Sequence, residues 1–133
     1  MKLDYLSDIS NGGQIQGVIS DEIVRLFDFN FEEAILFRDA IQTTIIEKNE
    51  SLNCGKLTFI ELINCNLIFT ITETDEGIVT DNNIHFTCQL SIPAYKQMLE
   101  LLQPFCQRNA SGYQYLYDLD NPIELLFAPG GSW

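Results

Sequence analysis

Three tyrosines and two aspartates near the carboxyl end form the pattern most suggestive of a binding site. In GYQYLYDLD, Tyr113, Tyr115 and Tyr117 occupy alternate positions, and Asp118 and Asp120 lie just beyond them. An extended strand would place the three rings on one face. Tyrosine combines a flat apolar ring with a polar hydroxyl, which suits wet binding surfaces. The stretch therefore predicts a surface for a sugar or a basic peptide. The alternative is that the rings pack under a helix or pair across strands.

The two aspartates also match the residue type that glycoside hydrolases use. Those enzymes hold a pair of carboxylates at a defined separation across a cleft. Asp118 and Asp120 would share one side of a strand, but a sequence shows neither the separation nor a cleft. A small-ligand or carbohydrate binder, or a hydrolase, using this stretch is therefore an alternative to a protein-binding surface.

His85 is the only histidine, so a Ser-His-Asp or Cys-His site would have to use it. The alternation in IHFTCQLSI (84–92) places His85 on the polar face of a strand and Cys88 on the opposite, apolar face. We therefore expect a surface or cross-strand histidine and assign no catalytic residue. A single histidine also argues against a multi-histidine metal site, and we predict no metal ion and no cofactor.

The four cysteines, at positions 54, 65, 88 and 106, include no C-x-x-C pair, so the usual zinc spacing is absent. Cys65 and Cys88 lie in apolar, strand-like runs, which favours buried free thiols over disulfides. Residues 1–20 contain Asp4 and Asp8 and no long apolar stretch, so they do not read as a signal peptide. These features predict a soluble cytoplasmic protein.

The segment ETDEGIVTDNN (73–83) is rich in carboxylates and lacks lysine and arginine, as does everything between Lys56 and Lys96. Oxygen-rich loops bind calcium, but the residue order of an EF-hand is missing here. We expect a solvated hairpin loop, with a calcium site as the alternative.

The chain ends in APGGSW, where Trp133 is the only tryptophan. A phosphate-binding Walker loop needs a lysine and a following helix, and neither is present. The Pro-Gly pair predicts a turn. That turn would either fold the indole against the sheet beside Phe127 or present it as an anchor at an interface. Trp133 is therefore a further candidate binding residue.

The charge balance indicates which kinds of partner to expect. Seven lysine and arginine residues face nineteen aspartate and glutamate residues, giving a formal charge of -12. Such a field repels phosphate backbones and anionic lipid surfaces. No run approaches the ~18 apolar residues of a membrane helix. We therefore expect neither nucleic acid nor membrane as a partner, and we expect a basic protein to be favoured.

Length and hydrophobic periodicity predict one α+β domain spanning residues 1–133, a mostly antiparallel sheet with two helices packed on one face. A helix is expected over 31–48, capped by Asn30, because Ala34, Phe37, Ile41 and Ile45 recur at helical spacing. A second helix should begin near Ser91 and Pro93 and end near Pro104. The expected strands are 2–9, the hairpin of QIQGVI and EIVRLFDF, 56–63 and 65–73 as neighbours or one bent strand, 84–92, YQYLYD and IELLFA.

Taken together, the sequence favours a non-catalytic acidic interaction protein that engages a basic protein partner. Small inhibitors of toxic enzymes use their acidic charge in the same way. A structural role is the third hypothesis, in which the tail and exposed strand edges mediate self-association. The expected oligomeric state is a monomer or a homodimer. The candidate binding residues are Tyr113, Tyr115, Tyr117, Asp118, Asp120 and Trp133.

Overall fold

Hydrophobic periodicity changes along the chain, and strands and helices follow it. The computed structural model describes residues 1–7 and 22–130, in which nine strands and two α-helices form. In chain order these are β1 (Lys2–Ser7), β2 (Glu22–Phe27), α1 (Phe31–Ala40), β3 (Leu52–Asn53), β4 (Glu61–Leu62), β5 (Asn66–Ile71), β6 (Gly77–Val79), β7 (His85–Leu90), α2 (Ile92–Leu102), β8 (Gln114–Tyr115) and β9 (Ile123–Ala128).

The described strands form two mixed sheets, which corrects the expectation of a single sheet, and four of the seven neighbouring strand pairs are antiparallel. The first sheet has the order β4-β1-β2-β9-β8 and the second the order β3-β5-β7-β6. Three neighbouring pairs are parallel, namely β1 with β4, β2 with β9 and β5 with β7. Parallel neighbours need connections that leave the sheet and return to it. The alternation of apolar residues reports strands but not these connections, so the pairing could not be predicted.

Helix α1 begins as the sequence predicts. Asn30 Oδ1 accepts a hydrogen bond from the Glu33 amide at 2.9 Å, and Glu33 Oε1 accepts one from the Asn30 amide at 3.3 Å. This reciprocal pair is a capping box. The helix continues as a π-helical segment over Ile41–Glu47. The predicted apolar stripe is confirmed because its four members are fully buried: Ala34, Phe37, Ile41 and Ile45.

Helix α2 is capped by Ser91, whose hydroxyl accepts a hydrogen bond from the Ala94 amide at 3.4 Å. It gives way to a 3₁₀ turn over Gln103–Cys106, in agreement with the predicted end near Pro104. Tyr95 is fully buried, and its hydroxyl lies 2.6 Å from the Thr70 carbonyl oxygen and 3.0 Å from that of Cys88. Tyr95 therefore ties α2 to both β5 and β7.

Phe127 of β9 lies at the centre of the aromatic core. Its ring centroid is 4.2 Å from that of Phe29, 5.7 Å from that of Phe37 and 5.3 Å from that of Phe105. The ring centroid of Phe37 in turn lies 6.0 Å from that of Phe69 in β5. Buried side chains from both sheets and both helices thus form one core. An α+β architecture with two helices is confirmed at this level.

The segment 56–63 departs from its predicted extended form. A 3₁₀ turn covers Cys54–Lys56, and only β4 is extended, beside β1 in the first sheet, whereas β5 lies in the second. The Asn64 side chain accepts a hydrogen bond from the Tyr5 amide at 2.8 Å and donates one to the Tyr5 carbonyl at 2.9 Å. The Asn64 side chain thus bonds the β1 backbone at the position where the backbone of a longer β4 strand would have paired with it. The expected hairpin partner QIQGVI lies outside the described residues.

Strand β7 confirms most of the predicted alternation. Phe86, Cys88 and Leu90 point into the core, but Ile84 precedes the strand and is 53% exposed. No helix in residues 1–7 and 22–130 combines the length and apolar character needed to cross a membrane.

Candidate functional site

The tyrosine stretch is extended over only two residues. Strand β8 pairs with β9 at Gln114 and Tyr115, and Tyr113 lies just before it. The rings of Tyr113 and Tyr115 meet edge to face, with centroids 5.9 Å apart and planes at 80°. Tyr113 is 49% exposed and Tyr115 is half-buried. These two predicted site residues are therefore placed together at the surface.

Tyr117 does not share that face, which corrects the expectation of a three-ring surface. It is 7% exposed, and its hydroxyl accepts a hydrogen bond from the Ile78 amide at 3.2 Å and donates one to the Ile123 carbonyl. The β8 strand ends at Tyr115, so the alternation of strand faces no longer governs the residues that follow. Tyr117 is consequently a link between the two sheets, with its ring turned inward.

Asn121 reinforces the same link. Its Nδ2 donates hydrogen bonds to the carbonyl oxygens of Glu76 at 2.6 Å and Ile78 at 3.1 Å, while its Oδ1 accepts one from the Ile123 amide at 2.7 Å. Gly77 lies against this side chain with φ +81, and an added Cβ would be 2.7 Å from Asn121 Nδ2. Two carboxylate-rich segments, around Glu76 and around Asp118, are thereby brought together.

A groove of about 450 Å³ lies beside this junction, and we call it the acidic groove. Two carboxylates and two side-chain amides supply its polar groups, and leucine, alanine and tyrosine side chains supply the rest. No lysine, arginine or histidine of the described residues lines it. The lining residues are Asp75, Leu90, Ala94, Gln97, Leu101, Gln114, Leu116, Tyr117, Asp118 and Leu119.

The two groove carboxylates are held differently. Asp75 Oδ1 accepts a hydrogen bond from the Ser91 amide at 2.7 Å, which fixes it at the start of α2. Asp118 is exposed and makes no ion pair with another described residue. Asp120 is also exposed, but it does not line the groove. The predicted pair Asp118 and Asp120 is therefore not the pair that faces the groove.

The pKa values of Glu124 and Tyr115, beside and on β8, are raised first by partial burial and then by neighbouring negative charge. Partial burial raises the pKa of Glu124 above its ordinary value, and the neighbouring charge of Asp118 raises it further. Burial likewise raises the pKa of the Tyr115 phenol, and electrostatic repulsion from Glu124, and less from Tyr113, raises it further. Opposite charges nearby would lower the carboxyl pKa. Burial and the neighbouring negative charge thus both disfavour the charged form of Glu124.

His85 lies away from this site, on the outer face of the second sheet. It is exposed, and its Nδ1 is 3.1 Å from Asn82 Nδ2. A shallow hollow there is lined by His85, Asp81 and Thr87, together with Val79 and Thr80. Cys88 is buried on the opposite face of β7, and burial raises the pKa of its thiol. The predicted placement of His85 and Cys88 on opposite faces is confirmed.

The other reactive side chains are also dispersed. Cys54 and Cys65 are buried free thiols, and burial raises the pKa of Cys65 to about 12. Among the residues that the structure describes, no three histidine, cysteine, aspartate or glutamate side chains are grouped to hold a metal ion. Trp133 lies outside the described residues.

Sequence reasoning found Asp118 and the tyrosines but not the α2 side of the groove, Gln97 and Leu101. The lack of lysine and arginine in residues 57–95 and 109–133 indicates the two acidic segments, but no sequence signal points to Gln97 or Leu101. The fold brings these two segments together at β6 and β9. Asp75 from one acidic stretch and Asp118 from the other thereby line the same groove.

Comparisons of this chain with protein-family models, with curated proteins and with solved structures find no match.

Proposed function

We propose that the protein is a non-catalytic binding protein that holds a basic segment of a protein partner in the acidic groove. The observation that carries this proposal is the composition of the groove. Asp75 and Asp118 supply its charge, and no described lysine, arginine or histidine lines it. The overall charge of -12 acts in the same direction. Complementary charge accelerates association with a basic partner and disfavours acidic ones.

The apolar part of the groove complements the stems of basic side chains. Lysine and arginine bury their methylene groups along apolar surface while keeping the charged head in water. Leu101 and Leu119 offer such a surface, and Gln97 and Gln114 add hydrogen-bonding groups. A segment that alternates basic and apolar residues therefore matches the groove better than a uniformly polar one.

The test uses a synthetic helical peptide of lysine and leucine, with a glutamate and leucine peptide as its charge-reversed control. Gln97→Lys places a cation in the groove, whereas Thr58→Lys adds the same charge at an exposed position outside it. Isothermal titration calorimetry should show at least about tenfold weaker peptide binding for Gln97→Lys and little change for Thr58→Lys. Equal weakening by both variants would mean that only net charge attracts the peptide, and the groove would lose its role.

A small cationic ligand is the second candidate, supported by the volume of the groove. About 450 Å³ falls within the roughly 300–1,000 Å³ range of small-molecule sites. Titration with arginine amide separates the two proposals. Binding as tight as that of the peptide favours the small ligand, and much weaker binding favours the protein segment.

A further inference from the structure

We propose that Tyr113, Tyr115 and Glu124 form a seat for an alkylammonium group, the side-chain end of a lysine on the basic partner. This ammonium seat lies on the face of the first sheet that Tyr115 and Glu124 share. The inference rests on the proposed function, because it names a second contact for the same partner.

The geometry of the two rings suits a compact cation. Their centroids are 5.9 Å apart and their planes lie at 80°. A cation is attracted to a ring face when it lies within about 6 Å of the centroid. Because the centroids are closer together than that limit, one ammonium group can satisfy it for both rings. Tyr113 is 49% exposed, so a ligand in solution can reach its ring.

Sheet register places a carboxylate beside the rings. Tyr115 of β8 is directly opposite Leu126 of β9, and Glu124 is two residues from Leu126 on the same face. Diagonal neighbours of this kind lie within reach of long side chains. Glu124 forms no ion pair with another described residue. An arriving ammonium group would therefore meet two ring faces and one carboxylate that has no ion-pair partner among the described residues.

The ammonium seat and the acidic groove lie on opposite faces of the edge strand β8. Gln114 lies between Tyr113 and Tyr115 in the sequence and lines the groove. Asp118 also lines the groove, and its charge acts on Glu124. A basic segment crossing this edge strand can place one side chain in the groove and another in the seat. Two neighbouring cationic contacts would favour partners with paired basic residues.

Choline is the probe for the ammonium seat, and its neutral isostere, with a quaternary carbon in place of nitrogen, is the control. Aromatic proton NMR follows the ring signals of Tyr113 and Tyr115 during titration. We expect choline to shift these signals saturably and the neutral isostere to leave them nearly unchanged. Tyr113→Leu should weaken choline binding about two- to fivefold, whereas Tyr113→Phe should retain it because it keeps the ring face.

The outcomes separate this inference from the proposed function. Equal shifts with choline and its isostere, or equal weakening by Tyr113→Leu and Tyr113→Phe, would overturn the ammonium seat. The lysine and leucine peptide would then still report on the groove through Gln97→Lys. Conversely, choline binding that persists in Gln97→Lys supports the seat even where the peptide result argues against the groove.

Discussion

The Tyr117 hydroxyl accepts a hydrogen bond from the Ile78 amide at 3.2 Å and thereby joins strand β6 of the second sheet to the segment that leads into β9 of the first. The same hydroxyl donates to the Ile123 carbonyl at the start of β9. A phenol can donate once and accept as well, and here it does both inside the protein. The acidic groove is built against this link, so its shape depends on Tyr117.

Tyr117→Phe should destabilise the fold by about 1–3 kcal/mol, because it leaves the buried Ile78 amide without its hydrogen-bond acceptor. Urea unfolding followed by circular dichroism measures the loss. Tyr113→Phe is the matched control, since the Tyr113 ring is largely exposed, and it should change stability by less than about 0.5 kcal/mol. Equal effects of the two substitutions would show that the Tyr117 hydroxyl does not stabilise the junction.

Gly77→Ala should be more destabilising than Gly112→Ala. Both glycines have positive φ, +81 and +85, but a Cβ at Gly77 meets Asn121 at 2.7 Å while one at Gly112 meets nothing within 4 Å. Gly112→Ala therefore measures the backbone strain alone, about 1–3 kcal/mol. Thermal unfolding of both variants gives the difference. The double variant Gly77→Ala with Asn121→Ala tests the steric clash between the added Cβ and the Asn121 side chain. Its loss of stability should be smaller than the sum of the losses in the two single variants, and strict additivity would argue against the clash.

Stability should fall as the pH rises above about 9, where unfolded cysteine and then tyrosine lose their protons. Burial raises the folded-state pKa values of Tyr95, Tyr117, Cys54, Cys65 and Cys88. The folded protein therefore keeps protons that the unfolded chain releases. The resulting stabilisation is complete below the unfolded pKa values and is lost progressively as the pH rises towards the folded ones.

Urea unfolding between about pH 8 and pH 11 measures this slope, and Tyr117→Phe isolates one contribution to it. Above pH 10 the variant should lose stability less steeply than the unchanged protein, by up to about 1.4 kcal/mol per pH unit. Parallel curves would show that Tyr117 titrates alike in the folded and unfolded chains.

Asn30→Ala should lower the free energy of unfolding by about 1 kcal/mol, and by more than Ser91→Ala does. The Asn30 side chain accepts a 2.9 Å hydrogen bond and belongs to a capping box, whereas the Ser91 hydroxyl accepts a longer one, at 3.4 Å. Asp75 also accepts the Ser91 amide and remains in the variant. Paired urea titrations rank the two caps, and a larger loss for Ser91→Ala would contradict the ranking.

Local patterns predict the helices well, since their information lies within a few residues. The spacing of Ala34, Phe37, Ile41 and Ile45 identifies the buried face of α1, and Asn30 marks its start. Strand β7 is found in the same way from its alternation. In each case the element needs only an apolar face to bury, and the sequence displays that face directly.

Pairing and site geometry depend on residues that are far apart in sequence. Segment 56–63 looks like a strand beside 65–73, yet β4 joins β1 while β5 joins β7. Tyr117 looks like a partner of Tyr115, yet β8 ends before it. The acidic groove draws its carboxylates from Asp75 and Asp118, which only the folded chain brings together.

The outer edge of β6 also bears on how copies of this chain meet. Ile78 turns its amide and carbonyl away from β7, and the side chains of Tyr117 and Asn121 bond both groups. A strand from another molecule needs such groups vacant to extend a sheet. Tyr117 and Asn121 thus block the addition of another strand at Ile78. Self-association through this edge of β6 would first have to break these two hydrogen bonds.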